Sequence, residues 1–144
     1  MPDGLDGQRT RTILYLEDDD TAAYLFELTV GECPDAKAAV QVHRVVNADQ
    51  AFAFLFHEVP YRQAPRPDVV VLDINVPGAN TGLTVLKTIR SNPALACLPV
   101  VMFSGSNASA DREQASKLGA DEYVIKSDFE TFVTAAETAV RLAG

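Results

Sequence analysis

The chain has little positive charge and no long apolar run. Its 144 residues include 12 Lys and Arg against 20 Asp and Glu, so the formal net charge is −8. Nucleic-acid binding needs basic side chains clustered on one face, and docking on anionic lipid needs a polybasic segment, so this charge balance argues against both. No segment approaches the ~18 consecutive apolar residues of a membrane span, which argues against an integral membrane protein.

Cysteine is also scarce. Cys33 and Cys97 have neither the spacing of a metal site nor the density of a disulfide framework, and because free cysteine is commonly buried we expect both in apolar surroundings. The N-terminus is polar and lacks the apolar segment of a secretory signal. We therefore expect a disordered lead over residues 1–11, a folded domain over 12–142 and a cytoplasmic location.

Apolar runs typical of buried strands alternate with helix-like segments along the chain. The predicted strands lie near 12–17, 41–46, 68–73, 98–103 and 121–125, and the predicted helices near 20–31, 48–58, 82–91, 109–118 and 128–142. Strand–helix–strand repeats form right-handed crossovers and therefore a parallel sheet. The sequence thus predicts one α/β domain.

The last predicted helix has the clearest amphipathic pattern. One apolar stripe recurs at helical spacing, formed by Phe129, Phe132, Val133, Ala136 and Val140. Residues 127–130 read S-x-x-E, which predicts a capping box beginning at Ser127. Apolar residues beyond this stripe predict a homodimer, with helices four and five as the candidate interface. These are Ala135, Ala139 and Leu142, with Tyr24, Leu25, Phe26, Leu28 and Val30 on the first helix.

Four predicted strands end in polar side chains. Glu17 and Asp18 follow the first strand, Asp73 ends the third, Ser104 follows the fourth and Lys126 follows the fifth. Ligands of open α/β sheets bind outside the carboxyl ends of the strands, so we expect these side chains to lie together. Each has an ordinary explanation alone, such as a helix cap or a surface lysine, but the combination suits a divalent metal and a phosphoryl group.

This chemistry assigns a role to each side chain. Asp18 and Asp73 are predicted Mg²⁺ ligands, and Glu17 is expected to act through a metal-bound water. Asp73 is also the candidate nucleophile, because a carboxylate can form an acyl phosphate. Lys126 and Ser104 would then supply a cation and a hydroxyl to the phosphoryl oxygens.

The same residues resemble the receiver domains of response regulators over about 12–142. The motifs that carry the resemblance are Leu-Glu-Asp-Asp at 16–19, Val-Leu-Asp-Ile-Asn-Val-Pro-Gly at 71–78, Val-Met-Phe-Ser-Gly-Ser at 101–106 and Gly-Ala-Asp-Glu-Tyr-Val-Ile-Lys at 119–126. The resemblance implies a flavodoxin-like (βα)5 three-layer sandwich with strand order 2-1-3-4-5.

The resemblance also implies a function. Asp73 would accept a phosphoryl group from a histidine of a sensor kinase, and Mg²⁺ would be held by Asp18, Asp73 and the backbone carbonyl of Asn75. Ser104 would move toward the phosphate and Tyr123 would rotate inward behind it, which makes both switch residues. A two-state element biased by new local charge is the physical basis of such a switch.

Three features depart from the usual family pattern. Ser127 stands where the family usually has proline after the lysine, which puts a cis peptide there in doubt. Gly82 lies nine residues after Asp73, one further than is usual, so the intervening loop is expected to be reshaped. The proline-rich segment 56–67 and the Glu-Asp order at 17–18 resemble stand-alone regulators that partner phytochrome-like sensor kinases.

The leading hypothesis is a single-domain response regulator in a phosphorelay. No output domain is expected after about 142, so output would pass by protein contact and no bulk substrate would be turned over. One alternative is an aspartate-nucleophile phosphatase of the haloacid-dehalogenase type, but Asn75 stands where that class has its acid/base aspartate. The other is a receiver-like binding module that takes no phosphate.

Overall fold

The computed structural model describes residues 9–34 and 39–144. Its strands are β1 (Arg11–Leu16), β2 (Val40–Val45), β3 (Val69–Leu72), β4 (Val100–Ser104) and β5 (Glu122–Ile125). Its helices are α1 (Asp20–Gly31), α2 (Ala48–Leu55), α3 (Gly82–Ser91), α4 (Ser109–Lys117) and α5 (Phe129–Leu142). All strands pair in parallel in the order β2-β1-β3-β4-β5, which confirms the predicted flavodoxin-like topology.

The central strands are buried on both faces, and their alternating side chains supply two cores. One face, with α2 and α3, takes Leu14, Leu16, Val70, Leu72, Val100 and Met102. The other face, with α1 and α5, takes Ile13, Tyr15, Val69, Val71, Val101 and Phe103. Strands covered on both faces read as continuous apolar runs, and this explains why the sequence pattern located them.

The sheet brings the predicted site residues to one edge. The backbone amide of Asp73 donates to the carbonyl of Leu16 at 3.1 Å, and the amide of Glu17 donates to the carbonyl of Val45 at 2.9 Å. The amide of Lys126 donates to the carbonyl of Ser104 at 2.8 Å. Parallel pairing thus continues just beyond the strand ends and aligns the carboxyl ends of β1, β3, β4 and β5.

Helix α5 buries Phe132, Ala136 and Val140 of the predicted stripe, but it differs from the prediction at other positions. Phe129 is 49% exposed, whereas Ala135 and Ala139, offered above as interface residues, are fully buried. Small residues suit this face because α5 packs closely on α1, where the Thr29 hydroxyl reaches the carbonyl of Phe132 at 3.4 Å. Phe26 and Val30 of α1 are buried as well. The homodimer stays a prediction, and of the residues offered for its interface Tyr24 and Leu28 are exposed.

The start of α5 corrects the predicted capping box. The helix is capped by Asp128, whose carboxylate accepts from the amide of Thr131 at 3.2 Å. Ser127 instead donates its amide to the Thr131 hydroxyl at 3.0 Å. The box at Ser127 was therefore wrong, because the helix begins one residue later, with Asp128 as its N-cap. The Lys126–Ser127 peptide is trans; within the described ranges the cis bond is Val59–Pro60.

This correction predicts unequal effects of two neighbouring substitutions. Asp128→Ala removes the cap and is expected to lower the free energy of unfolding by about 1 kcal/mol. Ser127→Ala keeps the backbone contact to Thr131 and is expected to change it by less than about 0.5 kcal/mol. Urea denaturation of the two variants measures both values. A larger loss of stability for Ser127→Ala would show that Ser127, and not Asp128, caps α5.

Three further expectations concern the N-terminal lead, the two cysteines and membrane spans. Residues 1–8 of the predicted lead lie outside the described residues, whereas Arg9 pairs with Asp68 at 2.8 Å and β1 already begins at Arg11. Cys33 is buried as expected, but Cys97 is exposed, so the expectation for it was wrong. No helix within the described ranges is long and apolar enough to cross a membrane.

Candidate functional site

Three carboxylates meet at the carboxyl edge of the sheet. Glu17, Asp18 and Asp73 each offer one oxygen, and these oxygens all lie within 4.8 Å of one another. Glu17 and Asp73 are buried, while Asp18 is exposed. Mg²⁺ takes oxygen ligands and usually keeps several waters. A cluster of three carboxylates that is open to solvent at Asp18 therefore fits this ion.

Lys126 is the cation that pairs with the buried acids. Its Nζ donates to Oε1 of Glu17 and to Oδ2 of Asp73, the second bond being 2.8 Å long. Burial alone would lower the pKa of Lys126, but the hydrogen bonds to Asp73 and Glu17 outweigh it and raise the pKa. The side chain therefore stays charged at neutral pH and lies within reach of any group attached to Asp73.

Glu17 is the most deeply embedded of the acids. Besides Lys126, it accepts from the Tyr15 hydroxyl at 3.3 Å and from the amide of Asp19 at 3.0 Å. Burial raises the pKa of Glu17, the bonds from Lys126 and Asp19 oppose this, and the charge of Asp73 adds a smaller rise. Repulsion between acids is thus a secondary cause and desolvation the main one. Burial and the Glu17 charge also raise the pKa of Tyr15, so its hydroxyl remains a donor.

Asp73 is held by the loop that follows β3. The amide of Asn75 donates to Oδ1 of Asp73 at 3.3 Å, and the amide of Gly82 donates to the carbonyl of Ile74 at 3.1 Å. A Cβ on Gly82 would lie 2.0 Å from the backbone oxygen of Asp73. Glycine therefore lets α3 begin directly behind the acid.

The loop before Gly82 joins α3 through a capping box. The Thr81 hydroxyl accepts from the amide of Leu83 at 3.2 Å, and the Thr84 hydroxyl accepts from the amide of Thr81 at 3.4 Å. Gly78 has a φ of 105°, a conformation that side-chain-bearing residues rarely adopt. The loop from Gly78 to Thr81 thus combines a glycine at positive φ with a capped start of α3, and its expected difference from the usual family loop stays a prediction.

Ser104 and Tyr123 are joined through Ser106. The buried Ser104 hydroxyl accepts from the amide of Ser106 at 3.3 Å, and the Tyr123 hydroxyl donates to the carbonyl of Ser106 at 2.9 Å. The Ser106 hydroxyl donates to Asp111 in α4 at 2.5 Å. Tyr123 is half-buried, and burial raises its pKa. A movement of Ser104 would therefore change a hydrogen bond of Ser106, the residue that also binds the Tyr123 hydroxyl.

Sequence reasoning missed two residues at this site, Tyr15 and Arg44, and one contact of a third, Gly82. Tyr15 has a readable signal, because it lies two residues before Glu17 and so shares its face of β1. Arg44 of β2 donates from Nε to the carbonyl of Glu17 at 2.8 Å, and only the pairing register of β1 with β2 reveals this contact. The close approach of Gly82 to Asp73 likewise depends on the path of the loop.

The arrangement favours phosphoryl chemistry with a metal. Three carboxylates and the Lys126 ammonium leave the site net negative, which attracts a divalent cation. A transferring phosphoryl group needs positive charge around its oxygens and a positioned nucleophile. Lys126 provides part of that charge, and a bound cation would provide the rest.

Two curated bacterial regulatory proteins are similar in sequence to this chain. Response regulator Rcp1 from Synechocystis sp. is 36% identical over 77 residues, covering 54% of this chain and 52% of that protein. Transcriptional regulatory protein GltR from Pseudomonas aeruginosa is 30% identical over 119 residues, covering 81% of this chain and 43% of that protein. The chain thus spans about half the length of these curated relatives.

Solved structures agree with this result. The phosphorylated cyanobacterial phytochrome response regulator RcpA superimposes with a TM-score of 0.81 at 27% identity, covering 90% of this chain and 91% of that one. The Mn²⁺-bound form of response regulator Rcp1 gives 0.80 at 26% identity, covering 89% and 90%. The bacteriophytochrome response regulator RtBRR gives 0.73 at 31% identity, covering 94% and 79%.

A family model extends the match to most of the chain. The response regulator receiver domain matches residues 13–137. This range includes the three site carboxylates, Ser104 and Lys126. Phosphorylation and binding of Mg²⁺ or Mn²⁺ at an acidic pocket are typical of this family. The chain therefore belongs to the receiver domains of two-component response regulators, close in structure to regulators associated with phytochromes.

Proposed function

We propose that Asp73 accepts a phosphoryl group from a phosphohistidine of a sensor kinase in the cytoplasm, and that the chain signals by a change of shape and protein contact. The observation that carries this proposal is the environment of Asp73. Its carboxylate lies at the mouth of a buried strand, 2.8 Å from Lys126 and beside Glu17 and Asp18. Such a carboxylate is oriented and provided with a cation before any donor arrives.

The transfer exchanges one bond for another. A carboxylate oxygen of Asp73 attacks the phosphorus as the P–N bond of the phosphohistidine breaks. The bonding electron pair stays on the imidazole, which takes up a proton, and the product is an aspartyl phosphate. Lys126 pairs with Asp73 in the resting protein and binds a phosphoryl oxygen in the product. The Ser104 hydroxyl donates to another phosphoryl oxygen.

Mg²⁺ is the proposed cofactor. Asp18 and Asp73 would bind it directly, with the backbone carbonyl of Asn75, while Glu17 would act through a metal-bound water. When bound, the ion neutralises charge on the acids and on the transferring oxygens. The support from this chain is the carboxylate group itself, whose oxygens lie within 4.8 Å of one another.

The proposed switch follows from the contacts of Ser106. If Ser104 turns toward an aspartyl phosphate, its bond with the amide of Ser106 is lost. The carbonyl of Ser106 holds the Tyr123 hydroxyl, so the position of Tyr123 responds to the same event. Tyr123 lies on β5 at an edge of the sheet, where its movement alters the surface offered to a partner.

The proposed kinase is of the phytochrome type. This proposal is supported by the fit to RcpA and RtBRR, which are described as phytochrome and bacteriophytochrome response regulators. It is also supported by the long proline-containing connection between α2 and β3, which resembles that of stand-alone regulators with phytochrome-like partners.

Phosphorylation of the intact protein tests the proposal. Incubation with acetyl phosphate and Mg²⁺ is expected to add one phosphoryl group, and peptide mass spectrometry after hydride trapping is expected to locate it at Asp73. Asp73→Asn is expected to abolish labelling, because an amide oxygen is a far weaker nucleophile than a carboxylate. Removal of Mg²⁺ with EDTA is expected to suppress labelling of the unaltered protein.

Asp68→Asn is a matched control, since Asp68 also lies next to β3 but at the amino end of that strand, opposite to Asp73. It is expected to keep normal labelling even if its loss of contact with Arg9 lowers stability. Unlabelled protein that binds Mg²⁺ would favour the receiver-like binding module. Steady release of phosphate from a general phosphatase substrate would favour the phosphatase.

A further inference from the structure

Arg44 makes an unusual contact beside the acidic pair. It lies on the edge strand β2, where its backbone is in register with Tyr15 of β1. Its Nε donates to the backbone carbonyl of Glu17 at 2.8 Å, and its Nη1 donates to Asp20 at the start of α1, also at 2.8 Å. The guanidinium thus bridges the two ends of the segment that contains Asp18.

The Nε contact takes the place of a missing strand hydrogen bond. Strand β2 ends at Val45, whose carbonyl accepts from the amide of Glu17. The chain then turns away, and Asn47 caps α2. The carbonyl of Glu17 therefore has no further strand residue to bond, and a side chain from the same strand bonds it instead.

This carbonyl belongs to the peptide that joins Glu17 to Asp18. A peptide unit is planar, so fixing its oxygen fixes the plane from which the Asp18 backbone departs. The amide of Asp19 is fixed as well, by the carboxylate of Glu17 at 3.0 Å. Asp18 lies between these two anchors, and although it is exposed, its backbone has little freedom.

Stability alone does not explain an arginine at this position. The Asp20 side chain is 93% exposed, and an ion pair so open to water contributes little. The Nη2 of Arg44 is buried with no hydrogen-bond partner among the described residues, which costs free energy. The charge-assisted bond to the carbonyl of Glu17 is part-buried, whereas the equally short bond to Asp20 is exposed, so the first is the stronger of these two contacts.

We propose that Arg44 is a positioning residue for the metal site: it holds the Glu17–Asp18 peptide so that the Asp18 carboxylate faces Asp73. This inference rests on the proposed function, because it assumes that Mg²⁺ binds at these acids. Residues that orient metal ligands without touching the metal commonly change affinity by about 10–100-fold when they are replaced.

Charge and positioning make opposite predictions for one variant. If Arg44 acted only as a nearby positive charge, Arg44→Gln would remove a repulsion and Mg²⁺ would bind more tightly. If Arg44 positions Asp18, Arg44→Gln is expected to weaken Mg²⁺ binding about tenfold, the low end of the range because the charge effect partly offsets it. Arg44→Lys keeps the charge without the planar fork, and is expected to weaken binding as well.

Isothermal titration of the full chain with MgCl2 measures these affinities, and the amide resonance of Asp18 in NMR spectra reports the peptide directly. Asp20→Asn leaves the bond to Glu17 in place and is expected to stay within about twofold of the unaltered chain. Arg90→Gln is the matched control, since Arg90 also binds backbone carbonyls and one carboxylate, but at the opposite edge of the sheet. It is expected to lower stability and leave Mg²⁺ affinity unchanged.

The outcomes separate the two levels of inference. An unaltered chain that binds no Mg²⁺ overturns both the proposed cofactor and the role of Arg44. Normal Mg²⁺ binding together with unchanged or tighter binding in Arg44→Gln overturns the role of Arg44 alone. If Arg44→Gln does not fold, Arg44→Lys decides the question, and unchanged affinity and an unshifted Asp18 amide in that variant overturn it equally.

Discussion

Lys126→Met is expected to abolish most phosphorylation and to destabilise the protein. Lys126 is the cation shared by Glu17 and Asp73, and its side chain is only 16% exposed. Removal of one partner from a buried ion pair costs about 3–5 kcal/mol, because the other partner stays buried and unpaired. Labelling by acetyl phosphate is expected to slow by about 10²–10³-fold, since a charge aimed at the phosphoryl oxygens is lost.

Mg²⁺ should separate the two effects of this substitution. A bound cation would compensate the charges of Glu17 and Asp73, so the loss of stability in Lys126→Met is expected to become smaller as MgCl2 is added, while the labelling rate stays low. Thermal unfolding with and without MgCl2 measures the first effect, and the rate of phosphoryl uptake measures the second. Full labelling at the normal rate in Lys126→Met would exclude a role for the ammonium in transfer.

Lys87→Met is the matched control. Lys87 lies on α3 and is exposed, so its replacement is expected to change the free energy of unfolding by less than about 0.5 kcal/mol. Its labelling rate is expected to match that of the unaltered protein. A similar slowing in both variants would point to the loss of general positive charge rather than to the contact with Asp73.

The fold was predictable because buried parallel strands have an unambiguous pattern. The run 69–72 is apolar at every position, and all four residues are fully buried. Once the strands are known to be parallel, their carboxyl ends must meet at one edge, and Asp73 and Lys126 must converge there. The strand order came from resemblance to a family, since a pattern within single strands says nothing about their neighbours.

Contacts that depend on register or on competing local choices were not predictable. Ser127 and Asp128 are both good helix caps in adjacent positions, so only the path of the chain decides between them. The burial of Ala135 and Ala139 on α5 was misjudged because alanine is compatible with a tight helix contact and with a surface. Arg44 reaches Glu17 only because β1 and β2 pair with Tyr15 opposite Arg44.

The desolvation of Glu17 is a second property that the sequence concealed. The sequence shows that four acids follow β1 at residues 17–20, but it does not show which of them is buried. In the structure Glu17 is buried while its three neighbours are exposed. Its environment is therefore set by Tyr15 and Lys126, which come from other positions in the sheet.

Gly82→Ala is expected to damage both the fold and the site, although it adds a single methyl group. The new Cβ would lie 2.0 Å from the backbone oxygen of Asp73, 2.8 Å from its carbonyl carbon and 3.2 Å from Cα of Ile74. All three are backbone atoms, so no side chain can rotate to make room. Overpacking typically costs about 1–3 kcal/mol and occasionally more, and this contact places Gly82→Ala at or above the upper end.

The physical reason makes a sharper prediction than destabilisation alone. Relief of the clash requires α3 and the backbone of Asp73 to separate, which moves the carboxylate away from Lys126 and weakens the bond from the amide of Asn75. Phosphoryl uptake by the folded fraction of Gly82→Ala is therefore expected to fall, since misplacement by about 1 Å can cost about 100-fold in rate. Urea denaturation gives the loss of stability, and labelling normalised to folded protein gives the loss of rate.

Gly31→Ala provides the control for adding a methyl group at a glycine. Gly31 is the last residue of α1, and a Cβ there would meet nothing within 4 Å. Alanine is the better helix former by about 1 kcal/mol, so Gly31→Ala is expected to be neutral or slightly stabilising and to label normally. If Gly82→Ala behaved in the same way, the start of α3 could not be what fixes the backbone of Asp73. Normal labelling of a destabilised Gly82→Ala would instead mean that the loop yields to the methyl group while the carboxylate keeps its place.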